Sequence, residues 1–276
     1  MEVTDRNVVV TGAGSGIGAA LARRFAQERP RALVLADLNL ENVQAVADEV
    51  GGVAVQTDVG REDDIEQLVE RARQAGGAVD VFFSNAGIPG PDGGPPEASD
   101  QEWDQAWRVN VMAHVWAARA LLPEMIERGD GYLLSTASAA GILTQVGALV
   151  YSVTKHAAVA VAEWLNINYA EAGIKVSCLC PLGVRTPMLE LAMDDTIGAA
   201  ALLQDELLEP ADVAEAVVAG MREERLLIFP HPQLAKYMAH KATDNERWLA
   251  GMQRMVAKAR SARSETAPGS GGPAPA

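Results

Sequence analysis

Metal-binding and redox patterns are missing from this chain of 276 residues. It contains two cysteines, Cys178 and Cys180, which are separated by a single residue. That spacing suits neither a CxxC redox pair nor a zinc site. Both cysteines fall in a strand-like run, so we expect them to be inert packing residues, and we predict no metal site.

An excess of basic residues is also missing, because 23 Lys and Arg stand against 37 Asp and Glu and leave a net charge of −14. This balance disfavours binding to nucleic acid and, more weakly, to an anionic membrane surface. No uninterrupted apolar stretch is long enough to span a bilayer, and the N-terminus lacks the layout of a signal peptide. We therefore expect a cytoplasmic protein with a small-molecule partner and without a nucleic-acid or membrane partner.

Short apolar runs alternate with amphipathic segments along most of the chain. The strand-like runs are Asn7–Thr11, Ala32–Ala36, Val53–Thr57, Val79–Ser84, Gly131–Ser135 and Lys175–Cys180. The helix-like segments are Ile17–Glu28, Leu40–Val50, Arg61–Gln74, Trp103–Leu122 and Ser152–Ala172. Near-continuous apolar strands that alternate with helices predict an α/β fold, a doubly wound parallel sheet with helices on both faces.

The same pattern predicts one domain over residues 1–260. No linker interrupts the chain before about Pro232, and a helical stretch from Leu234 to Arg260 follows. The segment Pro230–Pro232 predicts a stiff surface turn. Residues 261–276 are rich in Ser, Gly, Pro and Ala and have almost nothing to bury, which predicts a disordered tail.

A glycine-rich turn, Thr11–Gly18, follows the first predicted strand and opens the first helix. Glycines let a backbone turn tightly and approach a pyrophosphate closely, and the helix N-terminus adds free N–H groups and partial positive charge. A structural turn is the alternative. The position between strand and helix favours a dinucleotide site.

Asp37 closes the second predicted strand, 19 residues after Gly18. A carboxylate there can accept hydrogen bonds from the ribose hydroxyls of an adenosine, and it would repel a 2′-phosphate. No Arg or Lys lies in the turn or beside Asp37 to offset that repulsion. We therefore predict NAD(H) as the cofactor, with helix capping by Asp37 as the alternative.

Tyr151 and Lys155 lie four residues apart at a predicted helix start, hence on one face. A free tyrosine has a pKa near about 10 and is a poor base at neutral pH. A fixed ammonium group nearby favours the phenolate and lowers that pKa. Such a phenol can exchange a proton with an alcohol or alkoxide, although an isolated match of this kind arises often by chance.

The match is not isolated in this chain. Ser138 ends a predicted strand 13 residues before Tyr151, Asn110 lies in Arg108–Val111, and Ser84–Gly87 follows another strand. Together with the glycine turn, these motifs resemble the short-chain dehydrogenase/reductase family in its single-domain branch. The resemblance covers Met1 to about Pro232 and implies a Rossmann-type fold.

The resemblance implies a role for each matching residue of the catalytic set. Tyr151 would be the general acid and base. Lys155 would bind the nicotinamide ribose and lower the pKa of Tyr151. Ser138 would hydrogen-bond the substrate oxygen, and Asn110 would hold a water molecule that links Lys155 to solvent.

A second set of residues would hold the cofactor. The resemblance places the phosphates and ribose along the glycine turn, adenine beside the residues after the third strand, and the carboxamide beside a threonine. The residues implied are Gly12, Ser15, Gly16, Ile17, Gly18, Asp37, Asp58, Val59, Asn85, Ala86, Gly87, Tyr151, Lys155 and Thr186. Leu182 departs from the family's usual Pro-Gly and puts a bulky side chain beside the expected nicotinamide.

The substrate region and the quaternary structure are expectations of a coarser kind. Residues 188–208 match the family's mobile lid, and their apolar side chains, with Ile142, Leu143, Gln145 and Val146, favour an apolar secondary alcohol or ketone. The helix Lys155–Ala172 is apolar on more than one face, which predicts a homo-oligomer, a dimer or tetramer.

The function that follows is an NAD-dependent interconversion of an alcohol and a ketone, with oxidation as the preferred direction. Two alternatives stay open at this point. One is a regulatory protein that binds the dinucleotide without turnover. The other is a dehydratase or epimerase on the same scaffold.

Overall fold

Seven parallel strands form a single sheet in the order β3-β2-β1-β4-β5-β6-β7 in a computed structural model that describes residues 1–192 and 205–266. The strands are β1 (Asn7–Thr11), β2 (Ala32–Asp37), β3 (Val53–Gln56), β4 (Val81–Ser84), β5 (Gly131–Thr136), β6 (Ile174–Leu179) and β7 (Leu227–Ile228). The predicted doubly wound parallel sheet is confirmed.

Helices connect the strands and cover both faces of the sheet. They are α1 (Gly16–Gln27), α2 (Leu40–Val50), α3 (Glu62–Gly76), α4 (Asp100–Trp107), α5 (Ala113–Arg128), α6 (Ala140–Leu143), α7 (Leu149–Tyr169), α8 (Pro187–Ala192), α9 (Pro210–Arg222), α10 (Gln233–Thr243) and α11 (Asn245–Thr266). A π-helical turn, Arg108–Met112, joins α4 to α5.

Alternation along the central strand creates two hydrophobic cores. Val9 of β1 packs in the core that α3, α5 and α7 cover, whereas Val8 and Val10 pack in the core under α1, α2 and α9. All five residues of β1 are buried, as expected for a strand with helices on both sides. The strand order reverses between β1 and β4, so a crevice opens at the carboxyl ends of these strands.

The C-terminal region differs from the prediction in two ways. The single helical stretch Leu234–Arg260 is two helices, α10 and α11, which Asp244 separates. Helix α11 continues to Thr266, so the predicted start of the tail at residue 261 is wrong. The remainder of the predicted tail, residues 267–276, and residues 193–204 of the predicted lid lie outside the described residues.

Helix α7 has an inner side that is buried and an outer side that is not. Trp164 is 56% exposed and Ile167 is 77% exposed, and Val153 near the start of the helix is also exposed. These apolar side chains have no cover from the described part of the chain, which agrees with the expectation of a homo-oligomer. The oligomeric state stays a prediction. Within residues 1–192 and 205–266, no helix has the length and apolarity to cross a membrane.

Helix α6 packs against α7 through a glycine. A Cβ atom on Gly141 would lie 2.4 Å from the carbonyl oxygen of Lys155 and 3.1 Å from a methyl group of Val159. Only a residue without a side chain permits this approach, which fixes α7 at the position of Lys155.

Replacing Gly141 with Ala is expected to lower the free energy of unfolding by about 1–3 kcal/mol, because the added methyl group must displace backbone. Denaturant-induced unfolding of both proteins measures the difference. Gly94→Ala is the matched control, since the nearest atom to its Cβ would be 3.6 Å away. Equal losses in the two variants would contradict the packing argument.

Candidate active site

A cavity of about 1180 Å³ opens at the carboxyl ends of the strands. Residues that follow six different strands contribute to its wall. They include Gly12, Asp37, Asp58, Asn85, Ser138 and Leu182. The topology therefore brings together the motifs that are far apart in the sequence.

The glycine turn forms one end of this cavity. Four residues of the turn line the cavity: Gly12, Ser15, Gly16 and Ile17. Two of them, Gly12 and Gly16, have positive φ angles of 63° and 49°, which glycine adopts without strain. Ser15 makes no side-chain capping bond to α1, and the first turn of α1 has no acidic residue. The N–H groups at this helix start are therefore available to an anion such as a phosphate.

Gly18 has a packing role in the same turn. A Cβ atom on Gly18 would lie 2.0 Å from the carbonyl oxygen of Gly12, so its lack of a side chain permits α1 to pack against the end of β1. Gly18 is not among the described residues that line the cavity, and its place beside the phosphates stays a prediction.

Asp37 lies at the end of β2 and faces the cavity beside the glycine turn. One carboxylate oxygen accepts a hydrogen bond from the N–H of Gly14 at 3.0 Å, and the other accepts from the N–H of Asn39 at 2.9 Å. Asn39, and not Asp37, caps α2 through its bond from Asn42. The carboxylate is therefore held in place and still presents acceptor sites to the cavity.

The turns after β3 and β4 complete the floor on the cofactor side. Asp58 and Val59 line the cavity, and the carboxylate of Asp58 accepts from the N–H of Gly60 at 2.9 Å. The amide of Asn85 donates to the carbonyl of Thr11 at 3.0 Å and accepts from the hydroxyl of Thr136 at 3.0 Å. These bonds tie the ends of β1, β4 and β5 together.

Ser138, Tyr151 and Lys155 all line the same cavity, next to Asn85, Ala86 and Gly87. The ammonium nitrogen of Lys155 lies 5.6 Å from the centre of the Tyr151 ring. The hydroxyl of Ser138 accepts from the N–H of Ala140 at 3.1 Å, which sets its orientation.

The ammonium group of Lys155 is buried, with 2% of the residue exposed. It donates to the carbonyl of Thr136 at 2.9 Å. Burial lowers the pKa of Lys155 to about 8, because removal from water disfavours the charged form. Gly87 leaves room for this group, since a Cβ atom there would lie 3.2 Å from the lysine nitrogen.

Burial acts on the phenol of Tyr151 in the opposite sense and raises its pKa, while a hydrogen bond with Ser138 lowers it in part. In the protein alone, desolvation is thus the larger effect on Tyr151. The expected lowering of the Tyr151 pKa by the Lys155 ammonium group is not among these causes. It stays a prediction for the complex with a cofactor.

Asn110 lies in the π-helical turn and is fully buried. Its side chain accepts from the N–H of Ile88 at 2.9 Å, donates to the carbonyl of Ile88 at 2.9 Å and donates to the hydroxyl of Thr154 at 3.1 Å. Asn110 therefore joins the segment after β4 to α7, next to Lys155. Its amide oxygen accepts one of these bonds and keeps a second lone pair, and the water molecule expected at Asn110 stays a prediction.

The segment after β6 forms the wall where the nicotinamide is expected. Leu182 and Thr186 line the cavity, and the hydroxyl of Thr186 donates to the carbonyl of Val184 at 3.3 Å. The N–H of Leu182 donates to the ring nitrogen Nδ1 of His231 at 3.2 Å. Pro230–Pro232 is a turn with Pro232 exposed, as predicted, but its His231 is 2% exposed and faces inward.

Only some of the residues predicted for the substrate side of the cavity line it in the structure. Leu143, Gln145, Met188 and Leu189 line it, whereas Ile142 and Val146 are not among its described lining residues. Sequence analysis missed the contribution of α10 and α11, which supply Tyr237, His240, Thr243, Asp244, Arg247, Trp248, Gly251, Met252, Arg254 and Met255. Their amphipathic pattern was visible, but nothing local indicated where they dock.

Comparison with known proteins agrees with this architecture. The family model described as short chain dehydrogenase matches residues 6–196. The 1-deoxy-11-beta-hydroxypentalenate dehydrogenase of Streptomyces exfoliatus is 35% identical over 236 residues, which are 83% of this chain and 84% of that protein.

Two solved structures are similar over most of their length. A short chain dehydrogenase/reductase from Burkholderia phymatum in complex with NAD is 29% identical with a TM-score of 0.81, covering 89% of this chain and 96% of that one. A 3-ketoacyl-(acyl-carrier-protein) reductase from Brucella melitensis complexed with NADH is 29% identical with a TM-score of 0.73, covering 83% and 98%. The sheet topology, the converging motifs and these matches agree, and the chain belongs to the short-chain dehydrogenase family of oxidoreductases.

Proposed function

We propose that this protein is an NAD(H)-dependent oxidoreductase that interconverts a secondary alcohol and a ketone on a largely apolar small molecule. The observation that carries the proposal is the meeting of Ser138, Tyr151 and Lys155 on one cavity whose other end is formed by the glycine turn and Asp37. One end suits a dinucleotide, and the other suits proton transfer to or from an oxygen.

The cofactor end fits a dinucleotide without a 2′-phosphate. The free N–H groups at the start of α1 suit the pyrophosphate, and the Asp37 carboxylate suits the ribose hydroxyls. A phosphate next to Asp37 would meet like charge. The similar structures from Burkholderia phymatum and Brucella melitensis bind NAD and NADH, which supports the same assignment for this chain.

The reaction end supplies a proton acceptor and an orienting hydroxyl. A nicotinamide bound at the cofactor end would supply the hydride acceptor for the carbinol carbon. Tyr151, as the phenolate that the Lys155 ammonium group would favour in the complex, takes the proton from the alcohol oxygen, and the carbonyl double bond forms as the proton and the hydride leave. Ser138 hydrogen-bonds the same oxygen, and Lys155 holds positive charge near the phenol at neutral pH.

The wall of the substrate side supports an apolar substrate. The lining of this part of the cavity is mostly apolar and includes one polar side chain, Gln145. The apolar residues are Leu143, Leu182, Met188 and Leu189. The name of the Streptomyces relative specifies a hydroxylated substrate, which fits an alcohol. A nicotinamide cofactor without a 2′-phosphate also favours oxidation as the working direction.

Tyr151→Phe is expected to lower kcat for alcohol oxidation by about 10²–10⁴-fold while NADH binding changes little, because only the proton acceptor is removed. NADH absorbance during turnover of an alcohol panel and fluorescence titration of NADH measure the two effects. Tyr169→Phe, at the far end of α7, is the matched control. Turnover that survives in the Tyr151 variant would show that the catalytic assignment is wrong.

The same panel separates the two alternatives. Saturable NADH binding without turnover of any alcohol would favour a regulatory protein. A tightly held cofactor whose absorbance shows no net change during conversion of substrate would favour a dehydratase or epimerase.

Asp37→Asn is expected to reduce the preference for NAD over NADP by about tenfold or more, because hydrogen bonds to a charged group contribute about 1.5–3 kcal/mol. Titration of both cofactors into both proteins measures the ratio. Asp48→Asn on α2 removes a carboxylate that faces Gln44 instead of the cavity, and it should leave the ratio unchanged. An NADP preference in the unaltered protein would contradict our interpretation of Asp37.

Lys155→Met is expected to stabilise the cofactor-free protein at pH 7 by about 1–3 kcal/mol while it removes activity. The folded-state pKa of about 8 is below the ordinary value of 10.5, so the unfolded chain binds the proton more tightly. Each pKa unit corresponds to about 1.36 kcal/mol, and the lost hydrogen bond to Thr136 offsets part of the gain.

The lowered pKa of Lys155 also predicts how the free energy of unfolding changes with pH. Between about pH 8 and 10.5 the unfolded chain binds more protons at Lys155, so stability from this group rises with pH in the unaltered protein. Lys155→Met should lack that rise. Lys175→Met removes a surface ion pair with Glu224 and serves as the control. A Lys155 variant that is less stable at pH 7 would contradict the desolvation argument.

A further inference from the structure

Helices α10 and α11 form the outer wall of the substrate side, and named contacts hold them there. The ammonium group of Lys241 on α10 donates to the carbonyl of Ile142 at 2.6 Å, beside α6. The hydroxyl of Tyr237 donates to the carboxylate of Asp205 at 3.0 Å. Helix α11 then packs on α10 through the rings of Tyr237 and Trp248, whose centres are 6.4 Å apart.

Helix α11 presents a single amphipathic face to the cavity. The lining residues recur at helical spacing, with Trp248, Met252 and Met255 as its apolar part. Arg247 and Arg254 flank them, seven residues and so about two turns apart.

The two arginines share one face of α11 and line the same cavity. Gly251 lies between them on the same face, and a Cβ atom there would have the guanidinium of Arg254 as its nearest neighbour, at 3.8 Å. Arg254 therefore extends back over Gly251 towards Arg247. The bare backbone at Gly251 leaves space beside both guanidinium groups.

Neither arginine has an anionic partner in residues 1–192 and 205–266. Most other arginines of these residues make ion pairs, for example Arg23 with Glu49 and Arg73 with Glu124. No such pair or side-chain hydrogen bond involves Arg247 or Arg254. Two unpaired cations beside an apolar cavity are unusual in a chain with a net charge of −14.

The acidic residues on this side of the cavity are already engaged. The carboxylate of Asp205 accepts from Tyr237 and from Gln233 at 3.1 Å. Asp244 accepts from the backbone N–H of Arg247 at 3.0 Å, where α11 begins. Asp92 has a partner of its own. These donors to Asp205 and Asp244 are neutral groups, so the carboxylates keep their charge, and neither forms an ion pair with Arg247 or Arg254 within the described residues.

We propose that Arg247 and Arg254 bind a carboxylate of the substrate, at the end remote from the reacting carbon. The substrate class is then a hydroxylated, largely apolar carboxylic acid, whose skeleton lies along Trp248, Met252 and Met255 while its hydroxyl reaches Ser138 and Tyr151. A planar guanidinium matches a carboxylate in a two-bond geometry, which gives orientation as well as attraction. The inference rests on the proposed alcohol oxidation for the position of the hydroxyl.

The test measures binding to the complex of the full chain with NADH. The probe is lithocholate, a tetracyclic carboxylic acid with one secondary hydroxyl at the opposite end, compared with its uncharged primary amide. Calorimetric titration should give the acid about 5–20-fold tighter binding than the amide. The preference should fall with added salt, because the arginines are at the exposed mouth of the cavity.

The variant Arg247→Gln/Arg254→Gln should lose this preference through weaker binding of the acid, with amide binding changed less than about twofold. Arg260→Gln, also on α11 but outside the cavity wall, is the matched control and should keep the preference. Equal binding of acid and amide, no binding of either, or an unchanged preference in the double variant would overturn the proposal.

Turnover of the same two compounds tests the proposed function separately. Preferential binding of the acid with no oxidation of either compound would contradict alcohol oxidation and leave the carboxylate site standing. Equal oxidation of acid and amide that is lost in Tyr151→Phe would support the proposed alcohol oxidation and contradict the proposed carboxylate site.

Discussion

A positive charge held away from water is the constraint on which the rest of the site depends. The ammonium group of Lys155 is buried and has one protein acceptor, the carbonyl of Thr136. Gly87 leaves room for this ammonium group, and Gly141 permits α6 to approach the backbone carbonyl of Lys155. Such a charge is unfavourable in the protein alone, and it becomes useful when a ligand with hydroxyl groups and a nearby phenol share it. Stability and chemistry therefore oppose each other at this residue.

The sheet supplies the geometry that a lysine on a single helix cannot. Parallel strands end at the same edge, so the turns after β1 through β6 converge on one cavity. Hydrogen bonds from Asn85 to Thr11 and Thr136 lock three of these ends together, and Asn110 ties the next segment to α7. The outer helices α10 and α11 close the remaining side. These hydrogen bonds hold the inner parts of the cavity, and our proposal places the choice of substrate at the outer wall.

Much of the fold and the inner site followed from local signals. Alternation of strands and helices gave the sheet, and the glycine turn, Asp37 and the Tyr151–Lys155 spacing gave the cavity, because each is encoded within a few residues. Long-range placement was not encoded in this way. Nothing near Gly18 shows how closely it packs against the carbonyl of Gly12, and nothing in Pro230–Pro232 shows that His231 is buried and bonded to the N–H of Leu182. The two-residue strand β7 is too short to give a period.

The π-helical turn at Arg108–Met112 sets the kind of genetic change this site can tolerate. Its wider winding means that the helix from Asp100 to Arg128 has one residue more than a regular α-helix would need to join the same two ends. Loss of any one residue there would restore regular winding between the same two ends and change the direction of the side chains within the turn. Asn110 would then leave Ile88 and Thr154. A single-residue deletion in this stretch would therefore displace Asn110 even when every remaining side chain is unchanged.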